Sequence, residues 1–158
     1  MNPTAETDAS KYPVLTITRV FDAPRSVVFK AWTDPTMLAR WWGPHQFTNP
    51  VCDVDVRPGG GIHIDMRGPE GTVYPMTGTF HEIVEPQRLV FSTTPLGADG
   101  EPMFEVLNTV AFEEFDGKTK LTLQARVVKT TAEAEQYLDG MEAGWTQSLE
   151  RLEEILRS

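Results

Sequence analysis

Residues 130–158 have the sequence TTAEAEQYLDGMEAGWTQSLERLEEILRS, and this stretch decides how the rest of the chain can fold. Its apolar side chains recur in steps of three and four, which is the spacing of one face of an α-helix. They are Ala134, Tyr137, Leu138, Met141, Trp145, Leu149, Leu152, Ile155 and Leu156. Thr130 and Glu133 have the spacing of a capping box, which satisfies free amide groups where a helix begins. The pattern predicts one long amphipathic helix that lies across a broad apolar surface.

Two glycines, Gly140 and Gly144, lie inside this predicted helix, where each costs roughly 1 kcal/mol relative to alanine. With Ser148 they form a row of small residues at four-residue spacing. Either the helix backbone packs closely against a neighbour, which is the commoner reason for a helical glycine, or the missing side chains leave a void. Both alternatives need a curved surface opposite the helix.

Composition and charge limit the classes of function. A chain of 158 residues with 40% apolar residues can form one domain with a sizeable core. Its formal charge of -9 repels nucleic-acid phosphates and anionic membranes, so we expect no nucleic-acid partner. No segment approaches the roughly 18 consecutive apolar residues of a membrane-spanning helix.

Residues 1–13 are polar, lack the apolar centre of a signal peptide and are expected to form a flexible tail. Residues 14–158 are expected to form a single domain. The lone Cys52 excludes an internal disulfide framework. Together these features lead us to expect a cytoplasmic protein with no membrane span.

The first part of the domain predicts a strand followed by two short helices. Residues 14–21 are rich in β-branched side chains, which favour a strand. Asp22 and Pro24 predict a helix start, with Asp22 as the capping residue. Asp34 and Pro35 predict a break and a second start, because proline pushes the residue before it out of helical geometry.

Residues 47–128 change to a period of two, which is typical of strands with one apolar face. The clearest pair flanks a turn centred on Gly59 and predicts a hairpin. Its predicted register places Val54 opposite Ile64, Cys52 opposite Met66, and Asp55 opposite His63. Further alternating segments follow at residues 73–84, 88–94, 104–112 and 121–127.

The predicted order of one strand, two helices, six strands and a helix gives an α+β fold. Strands joined by short turns form an antiparallel sheet that is apolar on one face. We expect a curved antiparallel sheet of about seven strands wrapped around the long C-terminal helix, because sheets of this size twist and curl. A helix held in such a sheet encloses an interior cavity.

Five short motifs occur in an order and spacing that resemble a known superfamily. They are Phe21-Asp22-Ala23-Pro24, Thr33-Asp34-Pro35, Trp41-Trp42-Gly43-Pro44, Arg57-Pro58-Gly59-Gly60 and Gly140-Met141-Glu142-Ala143-Gly144-Trp145. Over residues 14–157 the chain resembles the START-like (SRPBCC) superfamily, in the branch related to the Hsp90 ATPase activator homologue. The resemblance implies a helix-grip fold with a hydrophobic interior pocket. Lipid carriers, cyclases and co-chaperones all occur in this superfamily, so the fold alone does not select a function.

A set of aromatic, apolar and polar side chains is predicted to line the cavity or its mouth. The set is Trp41, Trp42, His45, Tyr74, Met76, Phe91, Asn108, Tyr137, Met141 and Trp145. Asn108 is the one amide on an otherwise apolar strand face, so it needs a partner from protein, water or ligand. The alternative for the two adjacent tryptophans is that they pack the helix ends, and the alternative for His45 is a surface position.

Acidic and histidine side chains also cluster on the first hairpin, which superficially suggests a metal site. They are Asp53, Asp55, His63 and Asp65. They alternate with apolar residues and so share the polar face of the hairpin, which we interpret as a solvated surface. No zinc-binding HExxH pattern, phosphate loop or nucleophile elbow is present in the sequence. We therefore predict no catalytic residue, metal or cofactor.

These features favour a non-catalytic domain that binds a small apolar or aromatic molecule in its cavity. One alternative is a co-chaperone-like or stress-response module that binds a chaperone or other protein, which an exposed apolar patch would support. Another is a cyclase or hydrolase that uses the same cavity, which would need an acid and a base inside it. The predicted oligomeric state is a monomer or a homodimer.

Overall fold

The computed structural model describes residues 14–97, 100–130 and 140–157. The strands in these residues are β1 (Leu15–Phe21), β2 (Thr48–Val54), β3 (Gly61–Arg67), β4 (Val73–Val84), β5 (Arg88–Pro95), β6 (Phe104–Phe115) and β7 (Lys118–Thr130). The helices are α1 (Arg25–Thr33), α2 (Pro35–Trp41) and α3 (Met141–Arg157). The tail predicted at residues 1–13 lies outside the described residues.

All seven strands form one antiparallel sheet in the order β1-β7-β6-β5-β4-β3-β2. From β2 to β7 each strand pairs with the next one along the chain, as expected for strands joined by short connections. Strand β1 pairs with β7, so the segment carrying α1 and α2 joins the two edges of the sheet. The predicted α+β fold with a C-terminal helix is confirmed.

Local sequence explains the break between α1 and α2. Asp34 has an extended backbone (φ -86°, ψ 117°), as expected for a residue that precedes a proline, and α1 ends there. The Asp34 carboxylate accepts hydrogen bonds from the backbone N–H groups of Thr36 (2.9 Å) and Met37 (3.4 Å). These two bonds satisfy amide groups that the first turn of α2 leaves free.

Helix α1 begins directly after the start predicted at residues 22–24, but its predicted cap is wrong. Pro24 is the N-cap of α1 and no side chain caps this helix, so Asp22 does not have the predicted role. Thr130 is the last residue of β7 and pairs with Phe104 of β6, which is compatible with an N-cap because an N-cap residue has an extended backbone, so the capping box that it forms with Glu133 stays a prediction. Residues 131–139 lie outside the described residues, and the described helix begins at Met141.

The first hairpin keeps its predicted faces but not its predicted register. Val54 lies opposite Ile62 instead of Ile64, and Cys52 lies opposite Ile64. The partner strand is therefore shifted by two residues. A shift of two leaves every side chain on its predicted face, because side chains alternate with a period of two along a strand.

The connection between β2 and β3 explains the shift. The backbone N–H of Asp55 donates to the carbonyl of Gly61 (2.9 Å), and further backbone bonds join Gly59 and Gly60 to Phe80 of β4. A Cβ on Gly60 would lie 1.9 Å from the Asp55 carbonyl oxygen, so only glycine fits there. The loop is therefore anchored on a third strand, β4. The alternating sequence patterns of β2 and β3 alone cannot indicate that contact.

The core lies between the inner face of the sheet and the helices. Its buried residues include Phe21, Trp32, Trp41, Leu89, Phe112, Leu121, Leu149 and Leu152. The indole N–H of Trp41 donates to the carbonyl of Ala31 (2.9 Å), which joins α2 to α1. Within the described parts of the chain, no helix combines the length and apolar character needed to cross a membrane.

Candidate ligand-binding cavity

A cavity of about 340 Å³ lies between the first turns of α3, the loop after α2, and the facing ends of strands β3 to β6. Its aromatic wall residues are Trp42, Phe47, Tyr74, Phe104 and Trp145. Tyr74 is 38% exposed and marks the mouth, whereas Trp42 is buried. The volume is within the range of about 300 to 1,000 Å³ that small-molecule sites occupy.

The wall is uncharged over all the lining residues that the structure describes. Four of the six methionines of the protein contribute to it: Met66, Met76, Met103 and Met141. A methionine side chain has three rotatable bonds and a polarizable sulfur atom, so it adapts its shape to a neighbour. The cavity therefore offers an apolar surface that can adjust to the outline of a guest.

Trp145 separates the cavity from the core. Its ring is stacked with the buried Trp32 at a centroid distance of 5.9 Å and an angle of 21°. It also meets Trp42 edge to face, with centroids 5.3 Å apart. Because the rings fix one another, Trp42 and Trp145 form a rigid aromatic corner of the cavity wall.

Gly144 and Ser148 form the helical side of the cavity. Among the described residues, no neighbouring atom lies within 4 Å of the position that a Cβ on Gly144 would occupy, so the void interpretation holds there for this part of the chain. The Ser148 hydroxyl donates to the carbonyl of Gly144 (2.9 Å) and accepts from the backbone N–H of Gly43 (3.0 Å). The row of small residues thus leaves open space and also fixes the loop after α2.

Arg151 also fixes this loop, although its position on the polar side of the helix pattern did not indicate any site role. Its guanidinium group donates to the carbonyl oxygens of Arg40 (2.9 Å), Trp42 (3.0 Å), Gly43 (3.0 Å) and Pro44 (2.9 Å). These include carbonyl groups that the end of α2 leaves free. Burial lowers the pKa of Arg151, and the negative charge of Glu154 opposes this effect.

The predicted site residues fall into separate groups. Those that line the cavity are Trp42, Tyr74, Met76, Met141 and Trp145. Trp41 and Phe91 are buried in the core, and Asn108 lies beneath the wall. His45 is exposed, and its Nε2 lies 2.8 Å from the Glu150 carboxylate. Tyr137 lies outside the described residues.

Asn108 is fully buried beside the wall residue Thr93. Its amide nitrogen donates to the Thr93 hydroxyl (3.1 Å) and to the carbonyl of Phe91 (3.3 Å). Its Oδ1 has no hydrogen-bond donor among the residues that the structure describes. Thr93 was not among the predicted site residues, although its alternation with Leu89 and Phe91 on β5 indicates an inward position.

Other wall residues missed by the sequence analysis belong to strands and to one loop. The strand residues Met66, Phe104 and Val106 lie on alternating segments, so their inward position was detectable. Leu96 and Met103 flank the loop between β5 and β6. A loop carries no periodic pattern, so nothing in the sequence indicated their direction.

The polar face of the first hairpin carries the acidic and histidine side chains that superficially suggested a metal site. At the surface, Nε2 of His63 lies 3.0 Å from Oδ1 of Asp65. In the part of the chain that the structure covers, no group of three or more histidine, cysteine, aspartate or glutamate residues could hold a metal ion. Cys52 packs against the core, and burial, with a smaller effect of Asp53, raises the pKa of its thiol to about 11. The thiol is therefore protonated at neutral pH.

Solved structures with a similar fold come from several bacteria. A crystal structure of a Mycobacterium smegmatis protein is 31% identical, with 90% of each chain covered and a TM-score of 0.77. A solution structure of an Arthrobacter aurescens protein is 27% identical and covers 97% of this chain and 90% of that one, with a TM-score of 0.81. The AHSA1 protein of Silicibacter pomeroyi is 26% identical and covers 92% of this chain and 98% of that one, with a TM-score of 0.77.

The match extends to a family model. No curated protein matches the chain. Residues 22–157 match the model described as Activator of Hsp90 ATPase homolog 1-like protein. This match and the solved structures confirm the resemblance carried by the five sequence motifs. The chain therefore belongs to the family of Activator of Hsp90 ATPase homolog 1-like proteins.

Proposed function

We propose that this protein binds a small uncharged molecule with an apolar or aromatic body in the cavity beside α3. The observation that carries the proposal is the chemistry of the wall. Aromatic and methionine side chains surround about 340 Å³ of space, and the described lining residues include no charged side chain. Such a wall accepts apolar surface and disfavours an ion, because burying an unpaired charge is costly.

Burial of the ligand supplies the affinity. Each Å² of apolar surface removed from water contributes about 25 cal/mol, before the cost of immobilising the ligand is subtracted. The aromatic corner of Trp42 and Trp145 is already fixed by ring contacts. Little ordering of this part of the wall is therefore needed on binding.

The same wall supports binding more than acid–base chemistry. General acid–base catalysis needs a proton donor or acceptor with a pKa near neutrality within reach of the substrate. Among the described lining residues, Tyr74 is the only side chain that titrates, and its hydroxyl donates to Glu70 at the mouth (3.0 Å). The proposed role is therefore that of a carrier or a ligand sensor.

The experiment fills the cavity from the helix side. Gly144→Leu places a side chain in space where no neighbouring atom of residues 14–97, 100–130 or 140–157 lies within 4 Å of the new Cβ, so the variant is expected to fold. Ala143→Leu makes a similar change on the exposed side of the same turn and is the matched control. The probe is biphenyl. Its binding is measured by an NMR titration that records the tryptophan indole N–H signals.

Wild type and Ala143→Leu are expected to show saturable shifts of the Trp42 and Trp145 signals. Gly144→Leu is expected to bind biphenyl at least about tenfold more weakly, because the new side chain occupies the site. Unchanged binding by Gly144→Leu would overturn the proposal. So would a wild-type protein that binds neither biphenyl nor an aliphatic alcohol such as 1-dodecanol.

A further inference from the structure

The buried pair of Thr93 and Asn108 is the polar feature that the apolar wall does not explain. Strand pairing places Phe91 opposite Asn108 and Thr93 opposite Val106. Thr93 and Asn108 are therefore diagonal neighbours on the inner face of the sheet. Thr93 is 7% exposed and Asn108 is 0% exposed.

The orientation of the Asn108 amide follows from its surroundings. One of the two terminal atoms of the Asn108 amide lies 3.3 Å from the carbonyl oxygen of Phe91 and 3.5 Å from that of Val106. Backbone carbonyl groups only accept hydrogen bonds, so this atom must be the amide nitrogen. Oδ1 therefore points away from these carbonyl groups, and no described residue donates to it.

The Thr93 hydroxyl is left with an unused proton. Its oxygen accepts the hydrogen bond from Asn108 at 3.1 Å, and no acceptor for its own proton is found among the described residues. A hydroxyl group both donates and accepts. The pair therefore presents one donor, the Thr93 O–H, and one acceptor, Asn108 Oδ1.

We propose that the Thr93–Asn108 pair receives a neutral hydroxyl group carried by the apolar ligand. This inference rests on the proposed function and specifies the chemistry of the ligand. The ligand oxygen accepts from Thr93 and its proton is donated to Asn108 Oδ1. An ether or a ketone lacks the proton, and a carboxylate would place its negative charge against Oδ1.

The distances allow one ligand oxygen to reach both groups. Such an oxygen bridges two partners that lie within about 5.5 Å of each other, which is twice an O–H···O distance. The Thr93 hydroxyl oxygen is 3.1 Å from the Asn108 nitrogen, and Oδ1 is bonded to the same carbon as that nitrogen. Met141 lines the cavity and packs against the cluster of Val106, Ala125 and Val127, and its flexible side chain can shift to admit the group.

The test compares ligands with the same biphenyl body and different para substituents by isothermal titration calorimetry. Its probes are 4-phenylphenol and 4-methylbiphenyl, which exchange a hydroxyl for a methyl group, and 4-methoxybiphenyl, which accepts but does not donate. A phenol has a pKa of about 10, so the first probe is uncharged at pH 7. Wild type is expected to bind 4-phenylphenol about tenfold more tightly than the other two, because an unpaired buried acceptor is costly.

Two substitutions test whether the preference for the hydroxyl-bearing probe depends on Asn108 and Thr93. Asn108→Leu and Thr93→Val keep side-chain size while removing the acceptor or the donor, and each is expected to abolish or reverse the tenfold ratio. Thr94→Val, the same change on the opposite face of β5, is the control and is expected to keep the ratio. Because each protein is compared with itself across ligands, a change in stability does not imitate the effect.

The outcomes separate the two proposals. If all three probes bind with similar affinity, or if the tenfold ratio persists in Asn108→Leu, the hydroxyl assignment is overturned while the binding function stands. If none of the probes binds to wild type, the hydroxyl assignment is overturned, and the binding function is overturned with it if biphenyl and 1-dodecanol also fail to bind. A ratio that disappears in Asn108→Leu and Thr93→Val but not in Thr94→Val supports the assignment.

Discussion

The two halves of helix α3 share one amphipathic pattern but meet different surroundings. In the second half, Leu149 and Leu152 are 0% exposed and belong to the main core. In the first half, Met141 and Trp145 are only half-buried, and their apolar sides face the cavity. A helical stripe therefore indicates which side of a helix is covered, but not whether the space opposite is filled.

The difference arises from what stands opposite each half. Helix α3 packs against α2 and β1, and Leu149 and Leu152 of its second half belong to the same core cluster as Phe29 and Phe112, whose rings are 5.2 Å apart. The first half faces strand ends and a loop, and at Gly144 it contributes no side chain. One element thus combines a stabilising segment with a segment suited to binding.

The largest expected effect tests the filled half directly. Leu149→Ala is expected to lower the free energy of unfolding by about 2 to 5 kcal/mol, because it leaves a cavity in a packed core. Met141→Ala is the matched change in the other half and is expected to cost less than about 1 kcal/mol, since its side chain already borders open space. Urea denaturation followed by circular dichroism measures both. Equal losses would show that the two halves are packed alike.

The next effect tests how the first half is joined to the loop after α2. Arg151→Met keeps the apolar stem but removes the hydrogen bonds to four carbonyl groups. We expect a loss of about 1 to 3 kcal/mol in unfolding free energy and weaker biphenyl binding, because three partly buried carbonyl groups lose this donor. Arg157→Met removes an exposed arginine of the last turn and should leave both quantities nearly unchanged. A comparable loss in the two variants would contradict the anchoring role.

A smaller change, which raises the free energy of unfolding instead of lowering it, tests whether the space beside Gly144 is empty. Gly144→Ala is expected to raise the free energy of unfolding by up to about 1 kcal/mol, because alanine favours helix and its Cβ enters empty space. Ala143→Gly, on the exposed side of the same turn, should lower it by a similar amount. Thermal and urea unfolding provide the measurement. If Gly144→Ala destabilises the protein, the space beside this glycine is filled.

The smallest effect concerns the surface of the second half. Arg19 of β1 donates to Glu153, and this hydrogen bond is the main cause that lowers the pKa of Glu153 below its ordinary 4.5, with charge effects of Arg19 and Arg157 added. A carboxyl group with a lowered pKa in the folded state contributes stability above pH 4.5 and loses it as the pH falls through the folded-state pKa.

Glu153→Gln should therefore cost about 0.2 to 1 kcal/mol at pH 7, since the pair is partly exposed to solvent. The cost should shrink below pH 4.5, where the wild-type carboxyl group becomes protonated. Urea denaturation of both proteins from pH 3 to 7 measures the difference. A difference that does not vary with pH would contradict the role of this ion pair.

Local patterns in the sequence were sufficient for the elements and their order. Asp34 and Pro35 separate two helices because a proline restricts the residue before it and an aspartate caps the next turn, and both effects act within a few residues. Alternation with a period of two placed the strands and their inner faces. The faces stayed correct although Val54 pairs with Ile62 instead of Ile64, because a shift of two residues preserves the alternation. These features depend on near neighbours in the chain.

The tertiary structure decided what lies opposite each inner face. Trp41 and Trp42 are adjacent and chemically identical, yet one is buried against Ala31 and the other lines the cavity. The meaning of Gly144 as a void likewise depends on residues far away in the chain.

The sequence by itself determined that an amphipathic C-terminal helix covers an antiparallel sheet of α+β type, because periodicity records which faces leave water. It predicted a cavity but did not determine its position, the anchoring by Arg151 or the pairing of Thr93 with Asn108. A cavity is volume that several elements jointly leave unfilled, so its position depends on the register, curvature and loop anchoring of all of them together. Those quantities exist only in the folded chain.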